Sequence, residues 1–405
     1  MYDLLKGLRI IECSSFVAAP SAGLYLSQMG AEVIRIDQIG GGPDYRRWPV
    51  SDAGDSFYWE GLNKGKKSVA LNIRSDEGRQ LMQRLATAPG KNAGLLLTNY
   101  PVQGFLSHET LSKLRQDQIT LRVMGQANGG PALDYTVNSA IGVPYMTGPE
   151  TLGDEPVNHV LPAWDLITGA YTAFALMAAL HHREQTGTGQ EVRIPLTDLA
   201  ISTLGNLGQI AEVIHTNANR PKVGNDVFGA FGRDFVTKDK QRLIIMAITK
   251  RQWLGLIDVL EIAEEVHRVE HERKVDLSHS ESLRFIHRDL LNPIVASRVG
   301  EMNFDVLSRA LDDKGGCWGR YQTLLEAVDD PVLVTENPVF EKMENISGIT
   351  YPVPGAPATL PAMDRFSPKP ARKLGADTET VLKDCLEIND SDYDDLLNRG
   401  VVGET

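Results

Sequence analysis

One acidic side chain stands at the mouth of an unusually apolar stretch of this chain. In PAWDLITGAYTAFALMAAL, residues 162–180, Asp165 precedes Thr168-Gly169 and an uncharged run from Ala170 to Leu180. As a helix that run is apolar nearly all round and therefore buried, so an ionisable group at its start needs a reason. Two chemistries fit. An aspartate is a good N-cap, satisfying orphan backbone N–H groups and suiting the helix dipole. A carboxylate kept from water and fixed in place can also be a covalent nucleophile.

Other groups compete for attention. Arg46 and Arg47, in IGGGPDYRRWP (39–49), suit bidentate recognition of a carboxylate or phosphate. His267 and His271 stand at i, i+4 spacing but lack the order H-E-x-x-H and sit among Glu264, Glu265, Glu272, Arg273 and Lys274. That pattern reads as a solvated helix face, and no metal site is expected. Cys13, Cys317 and Cys385 are far apart, without zinc or disulfide spacing. No G-x-S-x-G elbow appears. Asp37 ends a strand where a ribose-binding acid stands in dinucleotide folds, but the preceding turn, SSFVAAPSAG, lacks G-x-G-x-x-G. A nicotinamide dehydrogenase is thereby disfavoured.

The elements that must position these groups alternate. GLRIIEC (7–13), AEVIRID (31–37), KSVALNI (67–73), AGLLLTN (93–99), ITLRVMG (119–125) and EVRIPL (191–196) read as buried strands. SAGLYLSQMG (21–30), SDEGRQLMQRLAT (75–87) and TDLAISTLGNLGQIAEVI (197–214) read as helices between or after them. The result is an α/β, doubly wound, Rossmann-like sheet. From 215 to 232 the texture turns polar and glycine-rich, marking a boundary. Residues 233–248 read as a hairpin around Lys238-Asp239-Lys240, and the charged helical stretch to about 330 completes a smaller α+β domain. The expected division is 1–215 with 331–405 as the large domain and 225–330 as the small one. Two short C-terminal helices are expected to pack back on the large domain.

The 405 residues are 42% hydrophobic and 23% charged, with a net charge of −12. That balance argues against nucleic-acid or anionic-membrane partners, which need clustered basic excess. The opening MYDLLKGLRI lacks a secretory pattern, and the longest charge-free apolar run is shorter than the roughly 20 residues a bilayer needs. A cytoplasmic protein without a membrane partner is expected.

Several segments together resemble the class III CoA-transferase family, the formyl-CoA and carnitine CoA-transferase group. They are residues 7–37, GLNKGKKSVALNIRSDEGRQLMQRL (61–85), TNYPVQG (98–104), WDLITGAYTAFALMAALHHREQTGTGQEVRIPLTD (164–198) and KPARKLGADTETVL (369–382). The most specific piece is Asp165, then Thr168-Gly169, an apolar helix, and Thr186-Gly187 to Gly189-Gln190. The resemblance implies that Asp165 attacks an acyl-CoA thioester, giving a mixed anhydride and then an enzyme-CoA thioester. Coenzyme A enters as part of the substrate, and no permanently bound cofactor is implied.

Carried onto this chain, the CoA site comprises Phe16, Val17, Gln38, Leu71, Asn72, Ile73, Arg74, Asn99 and Tyr100. The family arginines after Asp37 and after the asparagine are replaced by Gln38 and Tyr100-Pro101, so phosphate contacts fall to Arg35, Arg46, Lys64, Lys66 or Arg74. A sister group of racemases carries a G-H-D histidine where Leu133 stands here, which disfavours racemisation.

NHVLPAWD (158–165), GGGPDYRRWPV (40–50), DYTVN (134–138) and GAFGRDF (229–235) are similar to members that move CoA between the two carboxyl ends of mesaconate within one bound molecule. Those members serve a 3-hydroxypropionate cycle of carbon fixation. Arg47 or Arg233 would hold the free carboxylate. Intermolecular transfer to a separate acid, or noncatalytic CoA binding, are the competing readings. The family also implies an interlocked homodimer, with the active site between the domains.

Overall fold

Within each strand of the main sheet, successive apolar side chains face opposite layers of helices. The computed structural model describes residues 1–403. The strands are β1 (Arg9–Cys13), β2 (Glu32–Gln38), β3 (Lys67–Leu71), β4 (Leu95–Thr98), β5 (Ile119–Met124) and β6 (Glu191–Pro195). They pair in parallel in the order 3-2-1-4-5-6, and Val402–Gly403 adds an antiparallel edge against β3. Ile11, Ile34, Val69 and Leu96 pack on one side with Leu81, Met82, Val381 and Tyr393. Ile10, Val33, Leu95, Leu97 and Leu121 pack on the other with Ala19, Ala22, Leu26 and Leu176.

The helices that matter for the site are α1 (Ala18–Gln28), α2 (Phe57–Asn63), α3 (Asp76–Ala86), α4 (His108–Leu114), α5 (Asp134–Ala140) and the Asp165 helix (Ala163–Thr186). Ser75 and Ser107 cap α3 and α4 through their hydroxyls. The Asp165 helix ends at Gly187, whose φ of +73° is the left-handed geometry a terminating glycine adopts without strain. The stretch read as one helix over 197–214 is two, Leu196–Asn206 and Gln209–Thr216. They break at Gly208, where φ is +77°.

The Asp165 helix has 24 residues and a mean hydropathy of 1.3 over its most apolar window, long and apolar enough by composition to cross a bilayer. The charge-free run is shorter than the helix containing it, which takes in Asp165 before the run and Arg183 and Glu184 after it. In the fold Ala175, Leu176, Ala179 and Leu180 are buried in the core against α1 and the sheet.

The chain divides into two units. The first comprises Met1–Ile141, His159–His215 and the chain from Asp330 onward; the second comprises Gly142–Asn158 and Thr216–Asp329. The first retains the C-terminal helices Thr378–Leu386 and Asp390–Asn398, with Arg399 paired to Glu77 of α3 at 2.6 Å. The excursion 142–158, expected with the large domain, belongs to the second unit. In the structure it is tied within the second unit by Gly224 N–H to Gly148 O and Val157 N–H to Pro144 O, both 3.0 Å, and by Lys222 to Glu155 O. Backbone bonds of a loop leave no apolar period to read.

The second unit contains an antiparallel sheet of β7 (Phe231–Val236), β8 (Arg242–Ala247) and β9 (Cys317–Arg320). It packs on helices around Trp253, Leu256, Leu291 and Leu307.

Candidate active site

Strand order reverses between β1 and β4, and in open parallel sheets ligands bind outside the carboxyl ends of the strands at such a switch point. The loops leaving these strands are locked together there. Ser15 N–H donates to Asn99 Oδ1 at 3.2 Å, and Asn99 Nδ2 donates back to Ser15 O at 3.0 Å. Phe16, at φ +69°, holds the left-handed conformation without being glycine. Its N–H donates to Asp44 Oδ2 at 3.0 Å. The buried Arg122 supports the β4 loop by donating to Tyr100 O, Pro101 O and Leu106 O at 2.7, 2.8 and 2.9 Å.

Beneath these loops lies a buried charge network. Arg35 donates to both oxygens of Asp37 at 2.9 and 3.1 Å, to Asp44 at 3.0 Å and to Asn63 at 3.0 Å, with its guanidinium 4.4 Å from the Trp59 ring centre. Lys66 meets Glu12 at 2.8 Å and Pro20 O at 2.8 Å. Burial pushes the Lys66 ammonium down to about 8 despite Glu12, and burial holds Asp37 above the usual carboxylate range despite Arg35. Arg35 and Lys66 are therefore fully occupied inside the fold and not available to CoA phosphates. Lys64 is also buried, donating to Gly61 O at 2.9 Å. Asp37 is no ribose ligand, because its carboxylate is spent on Arg35. Sequence gave no sign of this network, since its members are scattered over 54 positions.

Asp165 is not an N-cap. The helix begins at Ala163 after Pro162, placing Asp165 third in its first turn. Its own N–H donates to Asp134 Oδ2 at 3.0 Å, so a neighbouring aspartate satisfies the orphan donor. The other Asp134 oxygen lies 2.5 Å from His159 Nε2, and Trp164 Nε1 donates to Asn138 Oδ1 at 3.0 Å. Burial, and then the charge of Asp134, push the Asp165 carboxyl up to about 7. Position 133 is leucine, and the imidazole that meets Asp134 comes from His159.

Gly169 joins this centre to the switch point. A Cβ there would stand 2.7 Å from Ala18 O, and Asp165 is one helical turn from Gly169. Asp165 therefore lies beside the start of α1, directly after Phe16 and Val17. Tyr58 of α2 feels its charge: burial is the main cause raising that phenol to about 12, and the charges of Arg47, Asp44 and Asp165 all act on it. Arg47 lies 5.4 Å from the ring centres of both Phe16 and Tyr58.

The remaining candidates are spread along the carboxyl edge. Gln38 ends β2 and Asn72 follows β3, Ile73 packs against the core, and Arg74 is exposed. Leu71 is wholly buried, its side chain in the core, so only its backbone could meet a ligand. Val17 is buried at the start of α1. Arg46 lines a cavity of about 270 Å³ with Tyr45, Ser56 and Trp59. Arg233 belongs to the second unit, where it donates to Asp226 at 3.2 Å.

A half-buried carboxyl poised near neutrality at a doubly wound switch point suits covalent acyl chemistry. The sequence profile of CoA-transferase family III matches residues 5–378. This chain belongs to that family. It is 40% identical over 404 residues, 99% of this chain and 98% of the other, to 2-methylfumaryl-CoA isomerase of Chloroflexus aurantiacus. It is 26% identical to human succinyl-CoA:glutarate CoA-transferase, over 99% of this chain and 90% of that one. Among solved structures, a CAIB/BAIF family protein from Brucella suis superposes with a TM-score of 0.75 at 23% identity, covering 95% of this chain and all of that one. That likeness concerns the fold. The family-III chain is thus an enzyme whose fold agrees with the α/β expectation.

Proposed function

We propose that this enzyme converts 2-methylfumaryl-CoA into 3-methylfumaryl-CoA by moving CoA between the carboxyl ends of one bound mesaconate. Asp165 is the nucleophile. Its carboxylate oxygen attacks the thioester carbonyl and CoA thiolate leaves, giving a mixed anhydride. The thiolate then attacks the aspartyl carbonyl, giving an Asp165-CoA thioester and free mesaconate. The opposite mesaconate carboxylate attacks that thioester and expels thiolate, which attacks the new mesaconyl carbonyl and returns Asp165 as a carboxylate. Water is neither consumed nor formed, and the thioester free energy is retained throughout.

The observation that carries this reading is the carboxyl of Asp165, pushed up to about 7 beside Asp134. A more basic carboxylate is the better nucleophile, and acylation removes its repulsion with Asp134. The loops at Phe16-Val17, Gln38, Asn72–Arg74 and Asn99-Tyr100 would carry the CoA moiety. Arg47, over Phe16 and Tyr58, would hold the carboxylate that is not reacting. Ile167, Tyr171 and Phe174 leave an exposed apolar face on the Asp165 helix, which supports a homodimer in solution.

Isotopic exchange tests the intramolecular part. With carbon-labelled free mesaconate present during turnover, product should carry almost no label. Labelling at a rate comparable to turnover would favour intermolecular transfer, the activity named for the succinyl-CoA:glutarate relative.

A further inference from the structure

The side chains of His159 and Asp134 and the backbone N–H of Asp165 are linked in series at the start of the Asp165 helix. Asp134, only 2% exposed, accepts from Asp165 N–H at 3.0 Å with one oxygen and meets His159 Nε2 at 2.5 Å with the other. Against an ionised carboxylate the imidazole must present Nε2 as the donor. The Tyr135 ring stands edge-on to the imidazole at 5.4 Å, and the Tyr135 hydroxyl donates to Val160 O at 3.2 Å, which steadies the segment carrying His159.

A hydrogen-bond donor to a carboxylate oxygen draws on its charge and shields the groups beyond it. One neutral backbone N–H is a modest partner; a side-chain imidazole at 2.5 Å is a strong one. Asp134 in turn acts on Asp165 twice. Its bond fixes the first turn, and its charge is the second cause, after burial, that disfavours the Asp165 carboxylate. The charge that Asp165 feels is what His159 leaves unshielded.

We propose that His159 is a positioning residue for the acyl-transfer reaction, setting through Asp134 both the placement of Asp165 and the pH at which it ionises. This rests on Asp165 being the nucleophile of the proposed reaction. The charged or titratable groups involved are Asp134 and the flanking Tyr135 around His159, Asp134 acting on Asp165, and Tyr58, on which Asp165, Arg47, Asp44 and Arg35 all act. The imidazole shields Asp134, so Asp165 ionises at a lower pH than it would beside a bare carboxylate. After acylation Asp165 has no charge and the interaction no longer matters.

Infrared difference titration, subtracting the Asp165→Asn spectrum, follows the Asp165 carboxyl without any turnover. His159→Ala should move its midpoint upward by about one pH unit, and the acid limb of kcat/KM for 2-methylfumaryl-CoA should move with it. His159→Gln, whose amide can still donate to Asp134, should restore most of the shift. Asp134→Asn, which removes the charge, should move the midpoint down, and serves also if the alanine variant does not fold. An unmoved or lowered midpoint in a folded His159→Ala, a glutamine variant that behaves like alanine, or an unmoved midpoint in Asp134→Asn overturns the proposal. Inactivity of the parent toward 2-methylfumaryl-CoA with the infrared shifts intact would instead overturn the substrate reading alone.

Discussion

Gly169 and Ser21 meet across two helices with no room for a further atom: a Cβ at 169 would lie 1.9 Å from Ser21 Oγ and 2.7 Å from Ala18 O. The close crossing brings α1, and with it the Phe16 loop, up to the turn that carries Asp165. Gly169→Ala should destabilise the protein by about 1–3 kcal/mol and lower kcat by displacing Asp165. Adding Ser21→Ala should restore only part, because Ala18 O is backbone and cannot rotate away. Urea midpoints and turnover of the single and double variants check this.

Asp165 carries a stability signature of its own. Its folded pKa, about 7, lies above the ordinary carboxylate value, so its stabilising contribution is present at acid pH and lost as pH rises through about 7. Asp165→Asn should therefore melt higher than the parent at pH 8, with the two converging near pH 4. Equal melting temperatures at both pH values would contradict the burial and repulsion assigned to this carboxyl.

The buried network should outweigh exposed pairs. Arg35→Met strands Asp37 and Asp44 beside Glu12 and should cost about 3–5 kcal/mol. Arg399→Met, which breaks exposed pairs to Glu77 and Asp395, should change the denaturation midpoint little. Chemical denaturation of both variants in one buffer makes the comparison.

Arg47 should report on the dicarboxylate. Arg47→Gln should raise KM for 2-methylfumaryl-CoA about tenfold or more, from the loss of a charge-assisted pair. A CoA ester of a monocarboxylic acid, as a competitive ligand, should bind the variant as it binds the parent. Equal losses for both ligands would move Arg47 from carboxylate recognition to support of the Phe16 loop.

The parallel sheet was legible because buried strands such as LLLT and alternating helices leave a plain pattern, and Asp165 stood out as a charge in apolar surroundings. The family resemblance pointed to Phe16 and Asn99; in the structure Asn99 locks to Ser15, the residue before Phe16, at the switch point. What sequence could not supply was partnership. Arg35 and Lys66 look like free cations in a strand and a loop, yet Arg35 is consumed by Asp37 on its own strand and Asp44 from the following loop, and Lys66 by Glu12 of β1. The helix start also escaped, because Ala163 and Trp164 carry no capping signal and the cap is provided from α5 by Asp134. His159 lies in an irregular stretch where no periodicity marks its direction.

Chemical trapping tests the central claim most directly. After incubation with 2-methylfumaryl-CoA, hydroxylamine should convert Asp165 into its hydroxamate and borohydride should reduce it to homoserine, both found by peptide mass spectrometry on the segment containing Asp165. Modification confined to that residue and dependent on substrate is the predicted result. Full turnover with an unmodified Asp165, or with the label on another side chain, would contradict the account.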